Sequence, residues 1–412
     1  MEKALIGFNQ IYYVAQYYSP EPYLKDSKFT NDLSELLDKD VQVVTGFPNY
    51  PKGHIYAGYK NSFRQKEKLG RSDIVRLLTF AYHGPSVIKR VLNYLVFSLS
   101  AAFYLLFNGQ RNSVYIIQQS SPFVGFVGLV IRIFKPKSSI ILDVQDVFPE
   151  NIKASGFLKS NLAIRFIDFL VKRYYGLFDA FICVSDGVSE TIKLRTADKK
   201  PVRTVFNWAI SEGQEEPKES SFQLEKMEDR VNLVYAGNIG VHQGLESLVP
   251  SFLTIVDKQP IAFHFIGSGT SEEVLRSKLA GSPYIKFYGR VSPEEANMAM
   301  NQADALFLNL KDSSGYEHII PSKLQGYFYA DKPILAGVKG EARKILVNSK
   351  MGLAYNPGDV ESFVGGVEEF VENFTKYKNN TGSNFYQNNF ARSKGLTTIF
   401  NLIDELRVYK SK

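Results

Sequence analysis

The sequence predicts an α/β protein built from two Rossmann-like, doubly wound domains. Short β-rich runs alternate with helical patterns along the whole chain, which is typical of parallel strands joined by crossover helices. These runs form two series separated by one polar stretch. The chain also has 412 residues, more than a single hydrophobic core normally supports.

Each series has the composition of buried strands, with β-branched and aromatic residues bounded by polar or glycine-containing segments. The first series comprises residues 11–15, 41–45, 74–79, 113–118, 139–144, 180–184 and 203–206. The second series comprises residues 231–236, 262–267, 285–288, 305–309, 333–336 and 352–355.

The polar stretch from Ser211 to Ser221 separates the two series. It contains glycine and proline and few β-branched residues, so it is predicted to be a linker or an exposed loop. The predicted domains are residues 1–208 and 209–385, and a helical segment, 386–412, is expected to pack back on the first domain. Open α/β sheets bind ligands at the carboxyl ends of their strands, so we expect the site in a central cleft that both domains face.

The composition narrows the classes of function. Cys183 is the sole cysteine, which fits a reducing cytosol, and its apolar neighbours predict a buried core residue. A net charge of +7 favours an anionic partner such as a membrane or a nucleotide. No zinc-finger spacing or ribonucleoprotein motif indicates a nucleic acid partner. Residues 1–5 lack the long apolar run of a signal peptide, so none is expected.

An apolar helix predicted at residues 87–107 lies beside many basic residues. Its uncharged part is about the minimum length of a membrane span, but polar residues dilute it. We favour monotopic attachment to an anionic membrane surface, and a buried domain helix with a solvated charged loop is an equal alternative. The basic residues are Lys60, Arg64, Lys66, Lys68, Arg71, Arg76, Lys89 and Arg90.

The segment around Pro321 is the most informative part of the chain. Pro321 is a typical helix opener, and Ser322 and Lys323 follow in the first predicted turn. A helix N-terminus presents free amide donors and a positive dipole end, so it binds phosphate, and Lys323 adds a full charge. Glu317, just upstream, is placed to contact a hydroxyl group, or is a solvated loop charge. A phosphate beside a polyol indicates a sugar nucleotide, and hence a glycosyltransferase.

A second segment of the same predicted domain runs from a strand into a helix. Gly237 and Gly240 allow a backbone close to a phosphate, and Asn238 and Gln243 offer neutral donors. By itself this segment could be only a turn. It supports a phosphate site because it is predicted to lie at a strand end equivalent to that of Lys323.

In the first domain, Asp146 and Glu150 follow the strand predicted at residues 139–144. Either could orient or deprotonate an acceptor hydroxyl, and Asp146 could instead cap a helix. His83 lies in a predicted loop, as a cleft residue or a solvated turn, whereas His264 is predicted to be a core residue. No spacing typical of a metal site is present in the sequence.

The sequence resembles the retaining glycosyltransferases of family 4 along most of its length. The similarity is greatest to the branch that builds bacterial O-antigen and capsule repeat units, including N-acetylfucosamine transferases. The matching segments of the first half are residues 17–22, 45–51, 143–150, 184–187 and 206–208, and those of the second half are residues 235–245, 265–269, 303–307, 321–327 and 332–336.

The resemblance implies the GT-B fold, retention of the anomeric configuration and no requirement for a metal. It also shows departures from the family pattern. Asn238 and Gln243 stand where many members carry an Arg and a Lys for the diphosphate, and Gly326 stands near the place of a second glutamate. The glycine-rich loop near the amino terminus is replaced at residues 25–27. Lys323 is therefore expected to supply the main phosphate charge and Glu317 to contact a sugar or ribose hydroxyl.

These observations lead to a functional hypothesis with two alternatives. We expect a cytoplasmic enzyme, peripheral on the inner face of the cell membrane, that transfers a sugar from a UDP-sugar to a polyprenyl-diphosphate-linked acceptor. The resemblance favours an N-acetylated sugar and requires no cofactor. The alternatives are a non-hydrolysing UDP-sugar epimerase, which shares the two-domain arrangement, and a non-catalytic membrane-associated subunit that binds a sugar nucleotide.

Overall fold

The computed structural model describes residues 7–154, 160–213, 222–313, 317–378 and 381–411. The chain divides into two compact units. Unit 1 comprises the residues up to Phe206 together with those from Arg392 onward, and unit 2 comprises Asn207–Ala391. The boundary therefore lies after Phe206, whereas the sequence placed it after residue 208.

Unit 1 contains, within its described residues, an eight-stranded sheet in the order β3-β4-β2-β1-β5-β6-β7-β8. All neighbouring strands are parallel except β3 and β4, which are antiparallel. The strands are β1 Ile11–Val14, β2 Val41–Gly46, β3 Arg64–Leu69, β4 Ser72–Leu77, β5 Val114–Gln119, β6 Ser139–Val144, β7 Ala180–Cys183 and β8 Val202–Thr204. The helices are α1 Ser27–Leu37, α2 Val87–Asn108, α3 Gly125–Phe134, α4 Glu150–Ala154, α5 Asn161–Tyr175 and α6 Asp186–Arg195.

Unit 2 contains a parallel sheet of six strands among its described residues, in the order β11-β10-β9-β12-β13-β14. The strands are β9 Val231–Ala236, β10 Ile261–Ile266, β11 Ile285–Gly289, β12 Ala305–Asn309, β13 Ile334–Gly337 and β14 Gly352–Tyr355. The helices are α7 Val249–Lys258, α8 Glu272–Leu279, α9 Pro293–Gln302, α10 Ser322–Tyr329, α11 Gly340–Ser349, α12 Val360–Glu372, α13 Phe374–Tyr377 and α14 Gly382–Asn389.

Both sheets are doubly wound, as predicted. Every predicted run overlaps a strand, and the central strands are continuous apolar runs because they are buried on both faces. The strand order reverses beside β1 in unit 1 and beside β9 in unit 2. Such reversals open a crevice at the carboxyl ends of the strands, so each unit has one predictable ligand position. Cys183 is fully buried in β7, which confirms its predicted core position.

The segment with Arg64, Lys66 and Lys68 is not the basic loop expected from sequence. It forms β3, an edge strand whose alternating charged side chains protect the sheet edge. Arg76 is also unavailable to a membrane surface, because its side chain is fully buried. It forms an ion pair with Glu67 at 2.5 Å and lies 4.8 Å from the ring centroid of Tyr59.

The C-terminal segment contains two helices, whereas one helix was predicted over residues 386–412. α14 ends at Asn389 within unit 2, and α15, Arg392–Ser411, belongs to unit 1. Arg392 pairs with Asp32 of α1 at 2.8 Å, which attaches α15 to that helix. Most of the predicted linker, residues 214–221, lies outside the described residues.

α2 is the predicted apolar helix, and it is only partly buried. Its length and composition would allow it to cross a membrane, as they would for many core helices, and 39% of its most apolar window is buried. One face packs on the sheet of unit 1, whereas Ile88, Phe103 and Phe107 are 74%, 68% and 69% exposed. One face of α2 is therefore that of a buried domain helix, and attachment of the exposed face to a membrane stays a prediction.

A buried ion pair holds the end of β6. The Lys25 ammonium lies 2.5 Å from the Asp143 carboxylate, and the two side chains are only 2% and 1% exposed. The other oxygen of Asp143 accepts a hydrogen bond from Gln145 at 2.8 Å. Lys25, in the segment that replaces the glycine-rich loop, thereby fixes the start of the turn that carries Asp146.

We expect Lys25→Ala to lower the free energy of unfolding by about 3–5 kcal/mol, because it leaves the Asp143 charge buried and unpaired. The measurement is urea unfolding at pH 7. Lys60→Ala removes an exposed lysine of the same unit and should change stability by no more than about 0.5 kcal/mol. Equal effects of the two substitutions would contradict a stabilising role for the pair.

Candidate functional site

The site in unit 2 begins where β9 and β12 separate. The two strands pair only at Ala305 with Leu233 and at Leu306 with Val234. Beyond those pairs their backbones diverge towards their carboxyl ends, which opens the crevice expected at a strand-order reversal.

The side chain of Tyr327 closes the floor of this crevice. Its hydroxyl accepts a hydrogen bond from the amide of Ala236 at 3.3 Å and donates one to the carbonyl of Phe307 at 2.9 Å. The hydroxyl thus satisfies two backbone groups that the separated strands cannot pair with each other. Because Tyr327 belongs to α10, this bridge also fixes the start of α10 above the strand ends.

Lys323, in the first turn of α10, extends over the end of β9. Its ammonium donates a hydrogen bond to the side-chain oxygen of Gln243 at 2.9 Å and lies 4.8 Å from the ring centroid of Tyr235. No carboxylate forms an ion pair with Lys323 among the residues that the structure describes. The cation is therefore held by a neutral amide and an aromatic face.

Burial lowers the pKa of Lys323 to about 8. Desolvation penalises the ammonium, and a neutral amide compensates less than a carboxylate would. A mostly buried cation of this kind gains stability from an incoming anion. Perturbed groups of this type are concentrated at functional sites.

Gly237 makes room for the side chain of Lys323. Its φ is +135°, and a Cβ there would lie 2.5 Å from Cε of Lys323. Gly240 has extended backbone and precedes a short 3₁₀ turn, Val241–Gln243, so α7 begins only at Val249. The sequence predicted that this segment runs from a strand into a helix, and in the structure two 3₁₀ turns, Val241–Gln243 and Leu245–Leu248, lie between β9 and α7.

Asn309, at the end of β12, positions the loop that carries Gln243 and was missed from sequence. Its side-chain amide donates to the carbonyl of Gln243 at 2.7 Å, and its side-chain oxygen accepts from the hydroxyl of Tyr355 at 2.8 Å. The sequence did contain a signal for Asn309, because a polar residue at the carboxyl end of a buried strand in a doubly wound sheet is well placed to contribute to a site. Gly267 packs directly against the backbone of Gly237, because a Cβ at Gly267 would lie 1.9 Å from the carbonyl oxygen of Gly237.

The remaining predicted residues of unit 2 lie around this crevice. Ser322 is exposed at the first position of α10, and Asn238 is exposed after β9. Glu317 is exposed, and its backbone carbonyl accepts a hydrogen bond from the amide of Glu341 at 2.8 Å, which places it beside the start of α11. A Cβ at Gly326 would meet no atom within 4 Å, so space is present at the place of the missing glutamate.

In unit 1, Asp146 lies beyond the end of β6. Its side chain is accessible to solvent and lines a cavity between helices. Desolvation by the surrounding protein raises the pKa of Asp146, although a hydrogen bond from the side chain of Asn151 lowers it in part. Burial raises the pKa values of Tyr23 and Tyr94, and the nearby charge of Asp146 raises them further. A carboxylate with a raised pKa is a better proton acceptor than an ordinary one.

Glu150 is a poorer candidate for the base than the sequence suggested. It forms an ion pair with Arg195 at 2.6 Å and lines a different pocket from that of Asp146. The contact with the guanidinium occupies a carboxylate oxygen that would otherwise be available to a substrate hydroxyl. The structure therefore does not bring the two predicted carboxylates together.

An aromatic cluster covers the ends of β1 and β2. The rings of Tyr17 and Tyr50 lie 5.2 Å apart, and His83 lies 5.5 Å from Tyr17 and 5.2 Å from Tyr50. A ring nitrogen of His83 is 3.0 Å from the side-chain oxygen of Asn49, and burial lowers the pKa of His83. His83 is thus half-buried at the end of the sheet rather than a solvated turn. His264 is fully buried, as predicted.

Among the described residues, no group of three or more His, Cys, Asp or Glu is arranged to hold a metal ion. The groups proposed above for chemistry at the carboxyl ends of the strands include the ammonium of Lys323 in unit 2 and the carboxylate of Asp146 in unit 1. Backbone amides at the start of α10 accompany the ammonium.

Comparison with known proteins identifies the class of enzyme. Residues 216–388 match the family described as Glycosyl transferases group 1. WbjE of Pseudomonas aeruginosa, named as a glycosyltransferase, is 25% identical over 240 residues, which span 56% of this chain and 60% of WbjE. WcaI of Escherichia coli, named as a colanic acid biosynthesis glycosyl transferase, is 23% identical over 331 residues, which span 74% of this chain and 78% of WcaI. The predicted enzyme class, a glycosyltransferase, is confirmed.

Solved structures resemble the chain along nearly all of its length. Sucrose-phosphate synthase from Thermosynechococcus elongatus has a TM-score of 0.69 at 14% identity and covers 97% of this chain and 99% of its own. HepE of Anabaena, in complex with UDP, has a TM-score of 0.64 at 11% identity and covers 96% and 100%. At such identities the likeness concerns the fold alone, and it confirms the predicted GT-B fold.

We expect Tyr327→Phe to lower the free energy of unfolding by about 1–3 kcal/mol, because it leaves the Ala236 amide and the Phe307 carbonyl without that partner. Urea unfolding measures the change. Tyr329→Phe is the matched control on the same helix, since Tyr329 is 37% exposed, and it should cost no more than about 0.5 kcal/mol. Equal losses in the two variants would refute the bridging role of the hydroxyl.

Proposed function

We propose that the protein is a retaining glycosyltransferase that transfers a sugar from a UDP-sugar to a polyprenyl-diphosphate-linked acceptor. The setting is surface polysaccharide biosynthesis, of O-antigen or capsule, at the inner face of the cytoplasmic membrane. The observation that carries this proposal is the buried ammonium of Lys323, which lies at the strand ends of unit 2 without a carboxylate partner among the described residues.

Unit 2 is the proposed donor-binding unit. The diphosphate of the donor would accept hydrogen bonds from Lys323 and from the first amides of α10, where Ser322 also lies. Negative charge grows on the leaving diphosphate as the glycosidic bond breaks, so a fixed cation there lowers the barrier. Glu317 would contact a sugar or ribose hydroxyl. HepE, whose structure contains UDP, supports the choice of a uridine nucleotide.

Unit 1 is the proposed acceptor-binding unit, with Asp146 as the group that orients or deprotonates the acceptor hydroxyl. The bond between the anomeric carbon and the UDP oxygen breaks, and a bond to the acceptor oxygen forms on the same face. The hydroxyl proton passes to Asp146 or to the released diphosphate. This sequence of events uses no metal and no cofactor.

A lipid-linked acceptor is supported by the surface of unit 1. Large apolar side chains on α2, α3 and α5 are exposed, and Lys89 and Arg90 begin α2. An apolar helical face beside basic residues is typical of attachment to an anionic membrane. The name of WcaI, which refers to colanic acid biosynthesis, agrees with a polysaccharide role. The choice of an N-acetylated sugar, such as N-acetylfucosamine, rests on the sequence resemblance.

The test of the function is incubation of the protein with a panel of UDP-sugars, with and without a polyprenyl diphosphate carrying one sugar. We expect UDP release and a lengthened lipid-linked saccharide only when both substrates are present. The reaction should continue when a metal chelator is added. Interconversion of the UDP-sugar without acceptor would instead identify an epimerase. Tight donor binding with no product from any acceptor would favour the non-catalytic subunit.

We expect Lys323→Met to weaken UDP binding about 10- to 100-fold, the usual value of a hydrogen bond to a charged group. Titration calorimetry measures the affinity. Lys344→Met removes an exposed lysine of the same unit and should leave UDP binding unchanged. Equal affinity of the Lys323→Met variant and the wild type would remove the main support for the proposed donor site.

The affinity for UDP should also depend on pH through Lys323. Its pKa of about 8 means that the ligand-free protein loses this charge as the pH rises above 8. The phosphates of UDP are ionised throughout that range, so affinity should fall by about tenfold per pH unit. The dependence should be absent in Lys323→Met, and a flat wild-type profile between pH 7 and pH 9.5 would count against a phosphate role.

We expect Asp146→Asn to lower kcat by about 100-fold or more, the usual contribution of a positioned base, and to leave UDP affinity unchanged. Glu150→Gln should have a much smaller effect on kcat, because Glu150 is paired with Arg195. Steady-state transfer assays and UDP titration separate the two quantities. A larger loss for Glu150→Gln than for Asp146→Asn would reverse the assignment.

A further inference from the structure

A large apolar cavity lies within unit 1, between α2, α3 and α5. Its volume is about 700 Å³, within the usual range for a small-molecule site in proteins. Its walls include the apolar side chains Val91, Phe126, Leu129, Phe166, Ile167 and Leu170. α2 packs against α3, and α3 packs against α5, so the three helices enclose the space on one face of the sheet.

One end of the cavity is polar. Asp146, Arg90, Tyr94 and Asn151 all belong to its lining. Burial raises the pKa of Tyr94, and Arg90 lowers and Asp146 raises it, so the guanidinium and the carboxylate both lie near that ring. The proposed acceptor base is therefore at the end of an apolar cavity, beside an arginine at the start of α2.

The other surroundings of the cavity are exposed and apolar. Phe126 and Leu129 of α3 are 42% and 41% exposed, and Phe166 and Leu170 of α5 are 60% and 38% exposed. These residues line the cavity and also face solvent, so the cavity opens onto an apolar surface. Exposed apolar patches of this extent mark interaction sites, and a hydrocarbon chain could pass from the surface into the cavity.

We propose that this cavity binds the first segment of the hydrocarbon chain of the lipid diphosphate acceptor. The diphosphate lies beside Arg90, and the attached sugar reaches Asp146. This inference rests on the proposed function, which names a lipid-linked acceptor, and adds where the lipid lies. A guanidinium is well suited to a diphosphate because it donates several hydrogen bonds in a planar array.

The observations favour this occupant over two others. A second protein chain would cover the outer apolar surface but would not fill the part of the cavity that extends inward to Asp146. A bulk phospholipid could fill the apolar part, but it offers no hydroxyl for the base at the polar end. The acceptor lipid alone combines an apolar chain, an anionic diphosphate and a reacting hydroxyl in that order.

The first test measures direct binding of farnesyl diphosphate, with inorganic pyrophosphate as the head-group control. Ala163→Trp places a ring in the cavity wall. Leu162→Trp adds the same ring at the preceding position, which is 79% exposed and outside the cavity lining. We expect Ala163→Trp to weaken farnesyl diphosphate binding about tenfold, as loss of burial of about two methylene groups would, and to leave pyrophosphate binding unchanged. Leu162→Trp should change neither.

A second pair of variants tests the polar end without altering the apolar walls. Arg90→Gln should weaken binding of both farnesyl diphosphate and pyrophosphate, whereas Lys89→Gln removes a neighbouring charge that is not part of the lining and should have less effect. Circular dichroism establishes that each variant is folded. If Ala163→Trp fails to fold, the Arg90 pair still decides the location of the diphosphate.

Two results would show that the cavity does not bind a hydrocarbon chain of the diphosphate. One is equal wild-type affinity for farnesyl diphosphate and pyrophosphate, and the other is an equal effect of Ala163→Trp and Leu162→Trp. Loss of binding to anionic phospholipid vesicles in Ala163→Trp, with farnesyl diphosphate binding intact, would assign the cavity to membrane lipid instead. These binding measurements do not require sugar transfer, so failure of the transferase assay is distinguishable from failure of this site.

Discussion

The separation of β9 and β12 is the constraint on which the site of unit 2 depends. Two strands that part at a strand-order reversal leave backbone groups unpaired, and an unpaired buried group is costly. The hydroxyl of Tyr327 resolves this by bonding both strands at once. Because the same residue belongs to α10, satisfying the strands also sets the height and direction of the helix that carries Ser322 and Lys323. The hydrogen bonds that satisfy the backbone of the two strands therefore also determine the geometry of the site.

The charge at this site is maintained by unusual neighbours. Lys323 contacts an amide oxygen and an aromatic ring, and Gly237 supplies the space for its stem. An adjacent carboxylate would stabilise the empty protein but would compete with a phosphate for the cation. In the proposed donor site, these neutral surroundings would make the phosphate-bound protein more stable relative to the empty protein. Gln243, whose side-chain oxygen accepts a hydrogen bond from the ammonium, orients this cation.

Unit 1 places a polar group beside an apolar cavity. The ion pair of Lys25 and Asp143 fixes the end of β6, and the turn that follows places Asp146 where the helical cavity ends. The helices α2, α3 and α5 bury one face on the sheet and leave other apolar side chains exposed. An enzyme that works on a lipid-linked substrate needs such a surface. In an enzyme with two soluble substrates, the same surface would lower solubility and serve no purpose.

The sequence by itself determined the two doubly wound sheets, because fully buried parallel strands must be apolar runs and their spacing requires crossover helices. It also identified α10, since Pro321, Ser322 and Lys323 are local signals within one turn. Only the tertiary structure brought Lys323 to Gln243 and Gly237, separated Glu150 from Asp146, and buried Arg76. It alone revealed Asn309 and the apolar cavity, because these depend on contacts between segments distant in the chain, whose relative positions no local pattern encodes.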